Sequence, residues 1–206
     1  MSNPTVDGNT QLGQIYVNLV DVLFAIVLSQ GFVFLSSSNG LLSWLGKADF
    51  VSIINTVSVY LIVVGSWIRY HAVLQKFPKE RTWRFGIDIA LMLLYYFGFV
   101  QVGNPFVVSI VFLAIFALYS AWSAFRVKEY PNSGDERWTL GFSTNFLFTA
   151  IATITIAAGF TTSFLDTGGI TISFLMMFIV LGYTLLTVRH KDSNTESVRV
   201  SSSTKH

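Results

Sequence analysis

Six stretches of this chain are each long and apolar enough to cross a lipid bilayer as a helix. A hydrocarbon core of roughly 30 Å takes about 20 helical residues to span. Stretches of that order lie near Leu12–Leu35, Phe50–Arg69, Arg84–Val102, Phe106–Val127, Thr139–Thr162 and Gly169–Val188. Pro4, Pro78, Pro105 and Pro131 all fall outside them, as expected of a residue that lacks an N–H and ends helices. Composition points the same way: 12% of the 206 residues are charged, against about 25% in a soluble domain. The expected fold class is an all-α membrane protein with six transmembrane helices. That excludes an ordinary cytosolic enzyme, a nucleic-acid binder and a disordered chain. A net charge of +2 gives no reason for a polyanionic partner. The absence of cysteine removes disulfides, thiolate metal sites and cysteine nucleophiles.

Lysine and arginine placement sets the expected orientation, because short cytoplasmic loops are enriched in both. With the second-to-third loop inside, Arg69, Lys76, Lys79, Arg81, Arg84, Arg126, Lys128, Arg137, Arg189, Lys191, Arg199 and Lys205 all lie on the cytoplasmic side. Only Lys47 is left outside. Both termini are then cytoplasmic, and an odd number of spans would break the pattern. Residues 1–191 form a single six-helix domain in this reading. The Ser/Thr-rich stretch Asp192–His206 is expected to be a disordered cytoplasmic tail. The first apolar stretch lacks a basic leader and is too long for a signal-peptide core, so it is expected to be a permanent helix. Ser36–Asp49, with Leu41, Leu42, Trp44 and Leu45, is either a short interfacial helix or a loop with an aromatic anchor. A faint echo of Asn18, Ala25-Ile26 and Gly31-Phe32 in Asn145, Ile151-Ala152 and Gly159-Phe160 leaves a three-plus-three repeat open.

Ionisable groups inside a bilayer are costly and each asks for a reason. Among the acidic residues, only Asp21 and Asp88 fall within the expected spans. At about 1.5 Å per residue, Asp21 is roughly 12–14 Å from the cytoplasmic end and Asp88 about 6 Å. Arg69 and His71 end the second span on that same side. The four side chains are therefore expected to share one charge-compensated cluster in the inner half of the membrane. For Arg69 the alternative is snorkelling to the headgroups; Asp21 is too short for that.

The first helix also has two faces. At about 100° per residue, Asn18, Asp21 and Ala25 project to one side, and Ile26, Gln30 and Val33 to another. The second line either faces lipid or meets the same helix of neighbouring subunits around an axis, where hydrophobic rings gate by dewetting. Ser29 and Gln30, polar and mid-span, favour the axis because both can hydrate a passing ion.

Leu19-Val20-Asp21-Val22-Leu23-Phe24-Ala25-Ile26-Val27-Leu28-Ser29 resembles the Phe-Ser-Asp-Gly-Val-Phe-Ala-Ile-Ala-Ile-Thr signature of the transmembrane protein 175 family, which are potassium-permeable channels. Trp67-Ile68-Arg69-Tyr70-His71 looks like that family's Trp-x-x-His-His ending of the second helix. Asp88, after Trp83, falls where the family carries asparagine. The resemblance implies a homotetramer whose first helices line the pore. It also implies a structural network of Asp21, Trp67, His71 and Asp88, a constriction at Ile26, and Ser29 in place of the signature threonine. The chain departs from the signature at Leu19, Val20 and Val22, and Gln30-Gly31 interrupts the family's leucines.

The leading expectation is thus an oligomeric cation channel, potassium-conducting, in a plasma or inner membrane. Ile26, Ser29, Gln30 and Val33 would line the pore, and potassium would be the only bound species. Leu181-Gly182-Tyr183-Thr184 is only a shadow of a Thr-Val-Gly-Tyr-Gly filter, so selectivity would not come from carbonyls of that kind. Alternatives are a proton-coupled small-solute transporter using Asp21, or a non-conducting scaffold or regulatory subunit. An enzyme is not expected. His71 is the only histidine near a span, which leaves a haem or zinc site short of ligands, and no lysine lies within a span for a Schiff base.

Overall fold

The apolar stretches become six helices: α1 Gly8–Ser36, α2 Phe50–Leu74, α3 Thr82–Val100, α4 Pro105–Glu129, α5 Arg137–Thr162 and α6 Gly168–Ser203. The structure is a computed structural model. It describes residues 8–36, 50–74, 82–129, 137–162 and 168–203, with side chains over 15–33, 50–71, 85–125, 143–159 and 169–186. The segment expected to be an interfacial helix or loop after the first span lies outside the described residues.

Successive helices alternate in direction. At one end, here the near end, the Tyr16 and Phe85 rings lie 5.2 Å apart and join the starts of α1 and α3. At the same end Tyr119, late in α4, stacks at 5.6 Å on Tyr183 in the second half of α6. At the far end Phe50 of α2 meets Phe174 of α6 with ring centroids 5.6 Å apart, and Gly169 of α6 lies beside Pro105 of α4. So α1, α3 and α5 run from near to far, and α2, α4 and α6 return.

The sharpest connection shows why the sequence turns where it does. Pro105 opens α4, at a position where its missing N–H costs nothing. Asn104 caps the helix by accepting the Val107 N–H at 3.2 Å. Asn55 of α2 donates its side-chain amide to the Val102 carbonyl at 2.8 Å, which fastens the α3–α4 turn to the bundle.

Four helices carry apolar windows of membrane-crossing length: Ile15–Val33, Phe50–His71, Pro105–Phe125 and Gly169–Leu186. The apolar cores of α3 and α5, Phe85–Val100 and Ser143–Gly159, are shorter. These four apolar helices mark a multi-pass membrane protein. The core is aromatic and branched, with Phe24, Val59, Tyr95, Phe99, Phe112, Phe116 and Val180 fully or nearly fully enclosed. Leu93, Phe146, Ile154 and Phe178 point outward, a surface that suits lipid and would be a liability in water. Lipid tails are as apolar as these side chains, so close packing and internal hydrogen bonds hold such a bundle together. Several hydroxyls are accordingly satisfied within their own helices: Thr56, Ser58, Ser109, Thr149 and Thr184 each donate to the carbonyl four residues back.

The helix of α6 extends to Ser203, where the sequence leads one to expect an unstructured tail from Asp192. A helix already nucleated in the membrane segment adds residues without a new nucleus.

Candidate functional site

Burial divides α1 cleanly. Val20, Phe24, Val27 and Gly31 turn into the bundle. Asn18, Leu19, Val22, Ala25, Ile26, Ser29, Phe32 and Val33 form the exposed arc. At about 100° per residue these two arcs are centred on opposite sides of the helix, with Asp21 and Gln30 at the two margins. Of the four side chains expected on one pore-facing line, Ile26, Ser29 and Val33 share the exposed arc, and Ile26 is 54% exposed. Gln30 sits at the margin and is half-buried. Ser29 donates its hydroxyl to the Ile26 carbonyl at 2.7 Å, bringing a polar oxygen beside the constriction candidate.

Asp21 leans towards α2. Its Oδ1 accepts the Trp67 indole N–H at 3.2 Å and lies 2.8 Å from His71 Nε2. Trp67 and His71 are one helical turn apart, and their rings meet edge-on at 4.8 Å. One carboxylate oxygen therefore gathers two ring N–H groups from one face of α2 and ties α1 to it sideways. The pair is about one-third open, with His71 33% and Asp21 38% exposed, so solvent or headgroups screen much of its charge.

Arg69 does not join Asp21, contrary to the single cluster expected from depth. Its Nη1 donates to Asn145 Oδ1 of α5 at 3.1 Å and to the Tyr183 hydroxyl of α6. The guanidinium carbon lies 5.9 Å from the ring centroids of both Tyr119 and Tyr183, within reach of a cation–π attraction. The reason is angular. Arg69 and His71 are two positions apart, about 200° around the helix, and cannot face the same neighbour. Asp88 is buried on α3, 5% exposed, while Asp21 bonds to Trp67 and His71 of α2, and a further α2–α1 bond runs from the Tyr60 hydroxyl to the Leu28 carbonyl at 3.4 Å.

Neither charge nor motif marks Asn145 as a binding group, yet it is the hub of the second cluster. Its Oδ1 accepts from Arg69 and from Tyr183, the latter at 2.9 Å. Its Nδ2 donates to Ser123 Oγ at 2.6 Å and to the Tyr119 carbonyl at 3.1 Å. The Tyr119 hydroxyl is 2.6 Å from that of Tyr95, which donates to Ser66 at 2.7 Å. The sequence signal was present: an amide deep in an apolar helix needs partners. Asn18, its counterpart in the faint internal echo, lies on the exposed arc, so the echo pairs residues in unlike surroundings. Among the described residues, no three His, Asp or Glu side chains gather as a metal site.

A comparison of the chain with protein-family models, curated proteins and solved structures finds no match.

Proposed function

We propose that this chain is the subunit of an oligomeric cation channel, with potassium as the permeant ion and α1 at the symmetry axis. In this reading all six helices span the membrane and both termini are cytoplasmic. Four copies would assemble in a plasma or inner membrane, without catalytic activity. One observation carries it: Asp21 is tied sideways to Trp67 and His71, leaving an outward arc on which Ile26, Ser29 and Val33 align. α1 packs chiefly on α2 and α3, which suits a helix with a free flank for its symmetry mates. The likeness of the Asp21 segment to the transmembrane protein 175 signature supports the same assignment. Ile26 would form the dewetting ring, with the Ser29 hydroxyl beside it.

Potassium efflux from liposomes containing the full chain tests this. Ile26→Ala should raise flux by widening the ring, and Ile26→Trp should suppress it. Absence of flux from a well-folded oligomer, or flux indifferent to both changes, overturns the pore at that position. A transporter using Asp21 is the second reading, favoured by the partial opening of the Asp21–His71 pair. It requires proton-coupled uptake that Asp21→Asn abolishes while the fold persists, whereas the channel reading expects that substitution to weaken assembly.

A further inference from the structure

Arg69 carries a full positive charge that the described part of the bundle does not neutralise. Its partners are an amide, a phenol and two tyrosine faces, and the one ion pair among the described residues is between His71 and Asp21. Only Nη1 is engaged. Among the described residues, Nε and Nη2 have no hydrogen-bond partner. Those two groups form the side-on edge of the guanidinium, the edge whose parallel N–H pair matches two oxygens of a carboxylate or phosphate.

The cage around Arg69 is built, not incidental. Asn145 is 1% exposed and Tyr183 4%, and each is fixed by further bonds, Asn145 to Ser123 and Tyr119, Tyr183 to Asn145. The Tyr119 and Tyr183 rings are stacked within 9° of parallel and hold the guanidinium between α4 and α6. Its position is held by neutral groups, so the charge stays available to a ligand. Arg69 is itself half-buried and lies five residues before the near end of α2 at Leu74, about 7.5 Å by helical rise. The headgroup layer on each side of a hydrocarbon core of about 30 Å is about 5–7 Å thick, a distance of the same order.

We propose that the Nε–Nη2 edge of Arg69, held by Asn145, Tyr119 and Tyr183, is a binding site for a phosphate group at the near end of the bundle. The two sources that present this chemistry are an anionic phospholipid headgroup and free phosphate in the adjoining solution. The Lys76, Lys79 and Arg81 stretch follows α2 in the sequence, and its charge would attract both diffusely.

The test uses the full chain purified in mild detergent. Retention of phosphatidylglycerol against phosphatidylcholine is read by native mass spectrometry, with and without competing inorganic phosphate. Two substitutions separate a specific site from diffuse attraction. Arg69→Gln removes the fork. Arg69→Lys replaces the fork with a point charge, and it keeps the overall charge and leaves the Asn145 donors to Ser123 and the Tyr119 carbonyl in place. Both should lower retained phosphatidylglycerol by about tenfold, the worth of one charge-assisted hydrogen-bonded contact. Loss of the lipid on adding inorganic phosphate assigns the site to free phosphate; persistence assigns it to lipid. If Arg69→Gln fails to fold, Arg69→Lys, which keeps the charge, decides alone. Equal retention in the wild type and Arg69→Lys overturns the proposal, as does a wild type that neither discriminates between the lipids nor binds inorganic phosphate.

Discussion

Arg69 and His71, two positions apart on α2, reach to opposite flanks of the bundle: His71 to Asp21 of α1 at 2.8 Å, and Arg69 to Asn145 of α5 at 3.1 Å. α2 is therefore stapled twice at one level, once to the peripheral helix and once to the α5–α6 pair. The two staples share no hydrogen-bond partner, which makes their independence measurable. Asp21→Asn combined with Tyr183→Phe should be additive to within about 0.5 kcal/mol in detergent unfolding. Asp21→Asn combined with His71→Gln should show coupling of about 0.2–1 kcal/mol, the range for a partly exposed pair. Coupling between the two staples larger than that within the first would show that they act as one network.

Asn145 should be the most sensitive polar position. Asn145→Leu removes the acceptor shared by Arg69 and Tyr183 and the donor to Ser123, so several groups lose partners at once. Leaving a buried polar group unsatisfied costs about 1–3 kcal/mol; the expected loss is at least about 2 kcal/mol. Tyr183→Phe leaves Arg69 its bond to Asn145 and should cost about 1 kcal/mol. The ranking can be read from thermal or SDS-induced unfolding of the purified chain. Equal losses would mean that Asn145 is not the hub.

Close packing, as distinct from polar bonding, is tested at Gly31. A methyl group there would stand 2.7 Å from Tyr60 Cζ and 2.8 Å from Phe99 Cε1, and rigid rings cannot bend away as an aliphatic tip can. Gly31→Ala should destabilise by about 1–3 kcal/mol through overpacking and loosen the seat of α1 on α2 and α3. Gly86→Ala on α3 meets nothing within 4 Å and should be neutral or slightly stabilising, since alanine is the better helix former by about 1 kcal/mol. A melting temperature unchanged by Gly31→Ala would contradict the contact.

The sequence makes some of this arrangement legible and hides the rest, for physical reasons. Helix number and alternating direction follow from apolar run length and from prolines at the boundaries, both local properties. The meeting of Asp21 with Trp67 and His71 is also close to local. It joins consecutive helices at matched depth, and helical rise alone places the residues level. Arg69 is different. Its partners come from α5 and α6, which reach α2 only because α6 lies parallel beside it in the bundle. No spacing along the chain encodes that neighbour. A search by charge looks for a carboxylate and passes over Asn145 and Tyr183, which bind the cation as neutral dipoles. The far reach of α6 was hidden because Ser/Thr-rich composition describes isolated segments and says little of one continuing an established helix.

The last prediction concerns which outward surface meets another copy of the chain. Val22 on α1 and Leu93 on α3 are both exposed aliphatic residues, 54% and 65%, and in a lone subunit both would face acyl chains. The proposed assembly treats them differently, because Val22 shares the arc of Ile26 and Ser29 and would approach its symmetry mates. Tryptophan is apolar enough for either environment but adds bulk that only a protein–protein contact would feel. Val22→Trp should therefore shift the purified oligomer towards monomer, as seen by light scattering in detergent. Leu93→Trp should leave the assembly state as it is. If Val22→Trp behaves as Leu93→Trp does, the α1 arc is a lipid-facing surface and the axial pore has no wall. If only Leu93→Trp dissociates the oligomer, the subunit contact lies on α3, and Asp21 serves only to hold α1 in its place.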